Sequence, residues 1–176
     1  LLTLSVPPKV TAATGMDALT HAIESYISGF ANAETRPLSV AAVRLIFANL
    51  GTVCANGADL EARQAMALAS TWAGFAFTRA SVGYVHAIAH QLGPLYHLPH
   101  GYLNAILLPY VLDFYADCAV ERMAELARAC GLGDRVGSLT PGKQADIVLL
   151  QTNAINTAPM IDPIGTIVVF SDTSNV

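Results

Sequence analysis

Small apolar residues recur at three- and four-residue intervals through roughly the first 130 residues of the chain. This spacing is typical of helices that bury one face. Prolines, glycines and short polar residues interrupt the pattern, and residues of these types start and stop helices. The pattern therefore predicts six helices, at about residues 14–29, 37–54, 60–80, 83–92, 100–115 and 119–130.

Local signals set the expected helix ends. Thr14 and Asp17 have the spacing of a capping box, which predicts that the first helix opens at Thr14. Pro37 suits the first turn of the second helix, and Asp59 suits the N-cap of the third. Gly131 suits the position just past the end of the sixth.

The helical period is lost after Gly137. The dipeptide Pro141–Gly142 indicates a turn, and residues 145–150 and 166–170 have the composition of short strands. We therefore expect a mainly α fold, a bundle of about six helices, with a short β-rich C-terminal tail. The expected division is residues 1–133 and residues 134–176.

The composition indicates that much apolar surface must be buried, because 53% of the residues are hydrophobic and only 12% are charged. Apolar surface then packs inside the chain or against a second copy, so we expect a homo-oligomer. The net charge of −4 and the lack of a basic cluster argue against nucleic acid. No apolar run has the roughly 18 residues of a membrane span, and the N-terminus does not resemble a signal peptide. The three cysteines form no C-x-x-C, which favours a reducing, cytoplasmic location.

Histidines carry the most specific chemical signal in the chain. Two pairs of residues are spaced four apart on predicted helices, which puts both members of a pair on one face. Two more histidines flank the start of the fifth predicted helix, where Gly101 would permit a tight turn. The side chains concerned are Asp17, His21, His86, His90, His97 and His100.

Imidazoles and one carboxylate suit a first-row divalent ion such as Fe²⁺ or Zn²⁺. Such an ion polarises a carbonyl or lowers the pKa of a bound alcohol. The same spacing also occurs among histidines that simply satisfy a core or lie on a surface. From spacing alone, the metal is only slightly favoured over that structural interpretation.

Two longer sequence motifs favour a metal site over the structural interpretation of the histidines. The segments TAATGMDALTHAIESYIS (residues 11–28) and GYVHAIAHQLGPLYHLPHGYLNAILLPYVLDF (residues 83–114) resemble two signatures of the iron-containing, group III alcohol dehydrogenases. The resemblance covers about residues 1–133 and implies a truncated helical domain of the dehydroquinate-synthase-like kind. It also implies a metal site with four protein ligands, Asp17, His21, His86 and His100.

The resemblance assigns roles to other residues too. It implies that His90 is a non-ligand beside the nicotinamide and substrate, as a catalytic proton relay or a cofactor contact. His97 matches no ligand position, and Asn104 is expected to stabilise the junction into the fifth helix. Glu24 is expected to be a solvated or capping group.

The resemblance also implies NAD(P) as the hydride carrier and a small alcohol or aldehyde as substrate. No glycine-rich loop opens a helix here, so we expect the nucleotide-binding domain of the family to be absent from this chain. Residues 135–176 instead resemble the C-terminal β-sandwich segment of the amidohydrolase superfamily, which suggests a junction of two enzyme fragments.

These observations are consistent with three alternative functions. The first is a metal-dependent alcohol dehydrogenase linked to NAD(P), or its catalytic fragment. The second is a metal-dependent hydrolase of esters or amides that uses metal-bound water. The third is a non-catalytic fragment that binds metal or self-assembles.

Overall fold

A computed structural model of the chain describes residues 2–131. Within them it contains six helices and no strand, which confirms the mainly α fold. The predicted strands and the rest of residues 132–176 lie outside the described residues. The helices are α1 (Pro8–Ile27), α2 (Thr35–Ala55), α3 (Leu60–Ala80), α4 (Tyr84–Tyr96), α5 (His100–Phe114) and α6 (Ala116–Ala129).

Helix α1 begins earlier than the sequence predicted. Pro8 occupies its first turn and Pro7 its N-cap, so the capping box at Thr14 is wrong. Proline suits this position because the first amides of a helix have no intrahelical partner. Thr14 lies inside the helix, where its hydroxyl donates to the carbonyl of Val10 at 2.9 Å. Asp17 therefore lies inside α1 and does not cap it, and its carboxylate faces His86.

The other helix ends follow the predictions more closely. Oδ1 of Asp59 accepts a hydrogen bond from the amide of Ala62 at 2.9 Å, which confirms the N-cap of α3. Gly131 has a φ of 74°, as expected of a glycine just after a helix. Helix α4 runs four residues beyond the predicted Leu92, through Pro94 to Tyr96.

The core forms where α1 packs against α2 and α3. Alanines with no exposed surface occupy these contacts and let the helix axes approach closely, while larger side chains fill the spaces between them. The fully buried alanines include Ala22, Ala42, Ala69, Ala73 and Ala76. Alanine-rich contacts therefore explain how so apolar a chain packs three helices together.

Helix α5 packs on the other side of α1, and α4 packs on α5. Gly101 makes this possible, because a Cβ at that position would collide with the carbonyl oxygen of Ala13. Gly101 was predicted to form a turn and instead lies inside α5, so that prediction is wrong. Gly101 instead permits close contact between α5 and α1, so that the start of α5 lies beside the middle of α1.

Helix α2 has the length and mean hydropathy of a membrane-crossing segment. Helices α5 and α6 also pass that test as a pair, although they meet at an angle of 114°. Core helices of folded domains share this composition, so the finding is weak evidence for a membrane span. In this fold α2 packs along both α1 and α3.

Candidate metal centre

Three helices bring four predicted ligands together. Helix α1 carries Asp17 and His21 one turn apart on the face that meets α4 and α5. His86 lies in the first turn of α4, and His100 is the first residue of α5. His86 and His100 follow Asp17 by 69 and 83 positions in the sequence, and they lie beside it because both later helices begin close to α1.

The ligand atoms have spacings that suit one ion. Oδ1 of Asp17 lies 3.4 Å from Nε2 of His86, 3.4 Å from Nε2 of His100 and 4.0 Å from Nε2 of His21. Two atoms bound about 2.1 Å from one ion at a tetrahedral angle are about 3.4 Å apart. Ligand atoms of Asp17, His21 and His86 all lie within 4.8 Å of one another. The residues therefore fit a divalent cation.

The surroundings of Asn104 are a second indication that the residues fit a cation. Its amide nitrogen lies 2.7 Å from Oδ1 of Asp17 and 3.1 Å from Nε2 of both His86 and His100. An amide has two protons and cannot donate to three acceptors at once. Its Oδ1 is buried and has no hydrogen-bond partner among the described residues. A carboxylate oxygen and two imidazole nitrogens that converge on one point are better satisfied by a cation than by this amide.

The electrostatics of the site also favour a cation. Burial, only partly offset by the Asp17 carboxylate, lowers the pKa of His21 to about 4. Burial likewise lowers the pKa of His100, so both rings have free lone pairs at neutral pH. Burial opposes the charged form of His86, but hydrogen bonds to Asp17 and Glu24 outweigh it and raise its pKa to about 9. A position that holds a proton so tightly attracts positive charge.

The remaining histidines differ in their distance from the ligands. The ring of His90 stacks on that of His100, with centroids 4.9 Å apart, and lies edge-on to His86 at 6.0 Å. His90 is exposed and is free to reach a bound molecule. His97 is an exposed residue at the C-cap of α4, in the left-handed conformation with φ 53°.

The structure adds to the expected roles of two residues. Asn104 was expected to stabilise the junction into α5; it is fully buried, and its amide nitrogen lies close to His100, the first residue of α5, and also to Asp17. Glu24 was expected to be a solvated or capping group; it is only 2% exposed and accepts from the amide of Val85 in the first turn of α4, which confirms the capping role, and its other oxygen contacts His86. Glu24 follows Asp17 by seven residues, and Asn104 follows His100 by four, so each shares a helix face with a predicted ligand. This spacing was the signal in the sequence that could have placed both residues at the site.

An aromatic wall closes one side of the site. The ring of His21 is sandwiched between Phe77 and His86, with centroids 4.3 Å from each. Phe77 comes from α3, so the third core helix also holds a ligand in position. Trp72 is half-buried against the core, whereas Phe75 is 62% exposed.

Comparison with known proteins places the chain in one family. A model of the Fe-containing alcohol dehydrogenase family, C-terminal part, matches residues 11–149. The chain is 52% identical over 131 residues to 1,3-propanediol dehydrogenase of Citrobacter freundii, covering 74% of this chain and 34% of that protein. It is 51% identical over 130 residues to long-chain-alcohol dehydrogenase 1 of Geobacillus thermodenitrificans, covering 74% and 33%. The chain thus spans about a third of the length of these curated relatives.

Solved structures share the helical fold. A 1,3-propanediol oxidoreductase superposes with a TM-score of 0.72 at 48% identity, covering 78% of this chain and 35% of that one. The sulfoacetaldehyde reductase of Bifidobacterium kashiwanohense, solved in complex with NAD⁺, superposes with a TM-score of 0.71 at 36% identity, covering 75% and 35%.

Proposed function

The chain belongs to the Fe-containing alcohol dehydrogenase family, and on that premise we propose that it is the metal-binding helical part of an alcohol or aldehyde oxidoreductase. Asp17, His21, His86 and His100 would hold the ion. The observation that carries the proposal is the convergence of three potential ligand atoms, Oδ1 of Asp17 and Nε2 of His86 and His100, around one point.

The ion would polarise the oxygen of a bound alcohol or aldehyde and so ease hydride transfer. The residues of this chain would hold the ion and fix the orientation of its ligands. Phe77 and the ring of His86 hold His21 flat between them, which leaves its Nε2 facing Asp17. Alcohols and the corresponding aldehydes are the proposed substrate class, because the relatives named above are a propanediol dehydrogenase and a long-chain-alcohol dehydrogenase.

His90 is the proposed catalytic and cofactor-contacting residue. Its ring lies beside His100 on the open side of the site, where it can exchange a proton with the substrate oxygen or with solvent. NAD(P) is the proposed hydride carrier, and a related reductase was solved with NAD⁺. The nucleotide would approach the site from the side of His90.

Fe²⁺ is the proposed ion by family, and Zn²⁺ suits the same ligands. Homo-oligomerisation and a cytoplasmic location stay predictions. The family match ends at residue 149, so it overlaps the first part of the tail that resembles an amidohydrolase segment. The likeness of that tail lies outside the described residues and also stays a prediction.

Metal analysis of the purified chain tests the site. We expect about one Fe²⁺ or Zn²⁺ per chain in the wild type and in His97→Ala, which changes an exposed histidine at the end of α4. We expect no stoichiometric metal in Asp17→Ala or His86→Ala. Equal metal content in all four proteins would sink the assignment.

A nicotinamide absorbance assay tests the reaction. Metal-loaded protein is mixed with NAD(P)⁺ and a primary alcohol, or with NAD(P)H and an aldehyde. Turnover that disappears in His86→Ala and survives in His97→Ala is the expected result. Failure of every nicotinamide and substrate pair, with metal bound, would reject the dehydrogenase activity for this chain.

A further inference from the structure

Glu24 is a buried carboxylate beside the metal centre. It lies on α1 seven residues after Asp17, and its side chain is only 1% exposed. Burying a carboxylate is costly unless hydrogen bonds to both oxygens compensate for the lost water. Its burial therefore requires partners, and α4 provides two of them.

Each oxygen of Glu24 accepts one hydrogen bond from the first turn of α4. Oε1 lies 2.8 Å from the backbone nitrogen of Val85, and Oε2 lies 2.6 Å from Nδ1 of His86. The amide of Val85 has no partner within its own helix, and negative charge is favoured at a helix N-terminus. Gly83 leaves the room for this contact, because a Cβ there would lie 2.8 Å from Oε1.

The contact with Glu24 decides which face of the His86 imidazole carries a proton. A carboxylate only accepts, so Nδ1 of His86 must donate. Nε2, on the opposite side of the ring, lies 3.4 Å from Oδ1 of Asp17, within the ligand group. A ring whose Nδ1 keeps its proton can offer its Nε2 lone pair to an ion.

We propose that Glu24 is a positioning residue that holds the proton on Nδ1 of His86 and thereby directs the Nε2 lone pair towards the metal. The proposal rests on the proposed metal site. Glu24 acts through His86, since its two oxygens contact α4 and lie on the side of the ring away from the ligands. It links metal affinity to the packing of α4 on α1.

Glu24→Gln is the informative substitution because it keeps the shape of the side chain and replaces one of its two acceptor oxygens by an NH₂ donor. The Gln oxygen can still accept from the amide of Val85. Its NH₂ group would then face Nδ1 of His86, which must become an acceptor and leave its proton on Nε2. We expect Zn²⁺ to bind about 10- to 100-fold more weakly, a typical loss for an outer partner of a histidine ligand.

Two control variants separate positioning from general stability. Tyr115→Phe removes another hydrogen bond to the start of α4, from the amide of Tyr84 at 3.2 Å, without contacting His86. Glu34→Gln removes an equal charge from an exposed ion pair with Arg79. Both should bind Zn²⁺ within about threefold of the wild type, since neither changes the imidazole proton.

Three measurements are made on each protein: Zn²⁺ affinity by calorimetry, the melting temperature by thermal unfolding, and the proton on Nδ1 of His86 by long-range proton–nitrogen NMR. The NMR is recorded with and without Zn²⁺. The wild type should show a slowly exchanging Nδ1 proton in both forms, and Glu24→Gln should lose it. Unchanged Zn²⁺ affinity in Glu24→Gln, or a retained Nδ1 proton, would overturn the proposal.

The outcomes also distinguish this proposal from the proposed function. A wild type that binds no Zn²⁺ refutes the metal site, whereas the Nδ1 proton of the metal-free protein still decides the role of Glu24. Parallel loss of affinity and melting temperature in Glu24→Gln and Tyr115→Phe would show that the start of α4 matters only structurally, and would overturn the positioning role.

Discussion

The side-chain nitrogen of Asn104, on α5, lies 2.7 Å from Oδ1 of Asp17, on α1. The same nitrogen faces the Nε2 atoms of His86 and His100 at 3.1 Å each. The amide and a divalent ion would therefore compete for the same three atoms. Asn104 can donate to at most two of them, and its own Oδ1 is buried without a hydrogen-bond partner among the described residues.

Asn104→Ala tests this competition. Loss of the amide leaves the Asp17 carboxylate short of a donor, so we expect the ion-free protein to lose about 1–3 kcal/mol of unfolding free energy. Zn²⁺ replaces the missing donor, so Zn²⁺ affinity should equal or exceed that of the wild type. Chemical denaturation with and without Zn²⁺ measures both quantities.

Asn49→Ala is the control for Asn104→Ala. Asn49 is half-buried on α2 and donates to the carbonyl of Leu45 at 2.8 Å, remote from the ligands. Its loss should leave the Zn²⁺-induced stabilisation unchanged. A clear drop of Zn²⁺ affinity in Asn104→Ala alone would show that the amide supports the bound ion and does not compete with it.

Gly101→Ala should separate α5 from α1. The added Cβ overlaps the carbonyl oxygen of Ala13, and backbone cannot move aside as a flexible side chain can. We expect a loss of about 1–3 kcal/mol or more in unfolding free energy, together with weaker metal binding because His100 shifts away from Asp17. Thermal unfolding and calorimetry measure the two effects.

Gly51→Ala is the matched control, because Gly51 lies on an exposed face of α2 and a Cβ there meets nothing within 4 Å. Alanine is the better helix former, so this change should stabilise the protein by about 0.5–1 kcal/mol. Similar behaviour of the two alanine variants would contradict the close contact at Gly101.

Comparison of His90→Ala with His100→Ala should show which of these two histidines binds the metal. His90 contacts the site through the face of the His100 ring, whereas Nε2 of His100 lies 3.4 Å from Oδ1 of Asp17. We expect its Zn²⁺ affinity to stay within about threefold of the wild type, whereas His100→Ala should lose at least about tenfold. Calorimetry on both variants makes the comparison, and equal losses would make His90 a ligand.

The helices and the ligand candidates were largely readable from the sequence. Helical periodicity, the cap at Asp59 and the glycine at Gly131 reflect interactions among neighbouring residues, and these signals are local. The pairing of Asp17 with His21 is equally local, since residues four apart share a helix face.

The start of α1 shows where local signals compete. Thr14 and Asp17 match a capping box, but Pro8 offers an earlier start, and the packing of α1 against four other helices stabilises the whole length. A cap signal inside a helix that the tertiary structure already supports has no effect on where that helix begins.

The environment of the ligands was decided by tertiary structure alone. Glu24 and Asn104 are ordinary polar helix residues in the sequence, and only the packing of α1, α4 and α5 turns one towards His86 and the other towards Asp17. Contacts between residues 62 and 87 positions apart have no local signature, because they depend on helix packing and on the space left by Gly83 and Gly101. The sequence by itself thus determined the helices and the metal-binding residue types, and tertiary packing decided how each ligand is oriented.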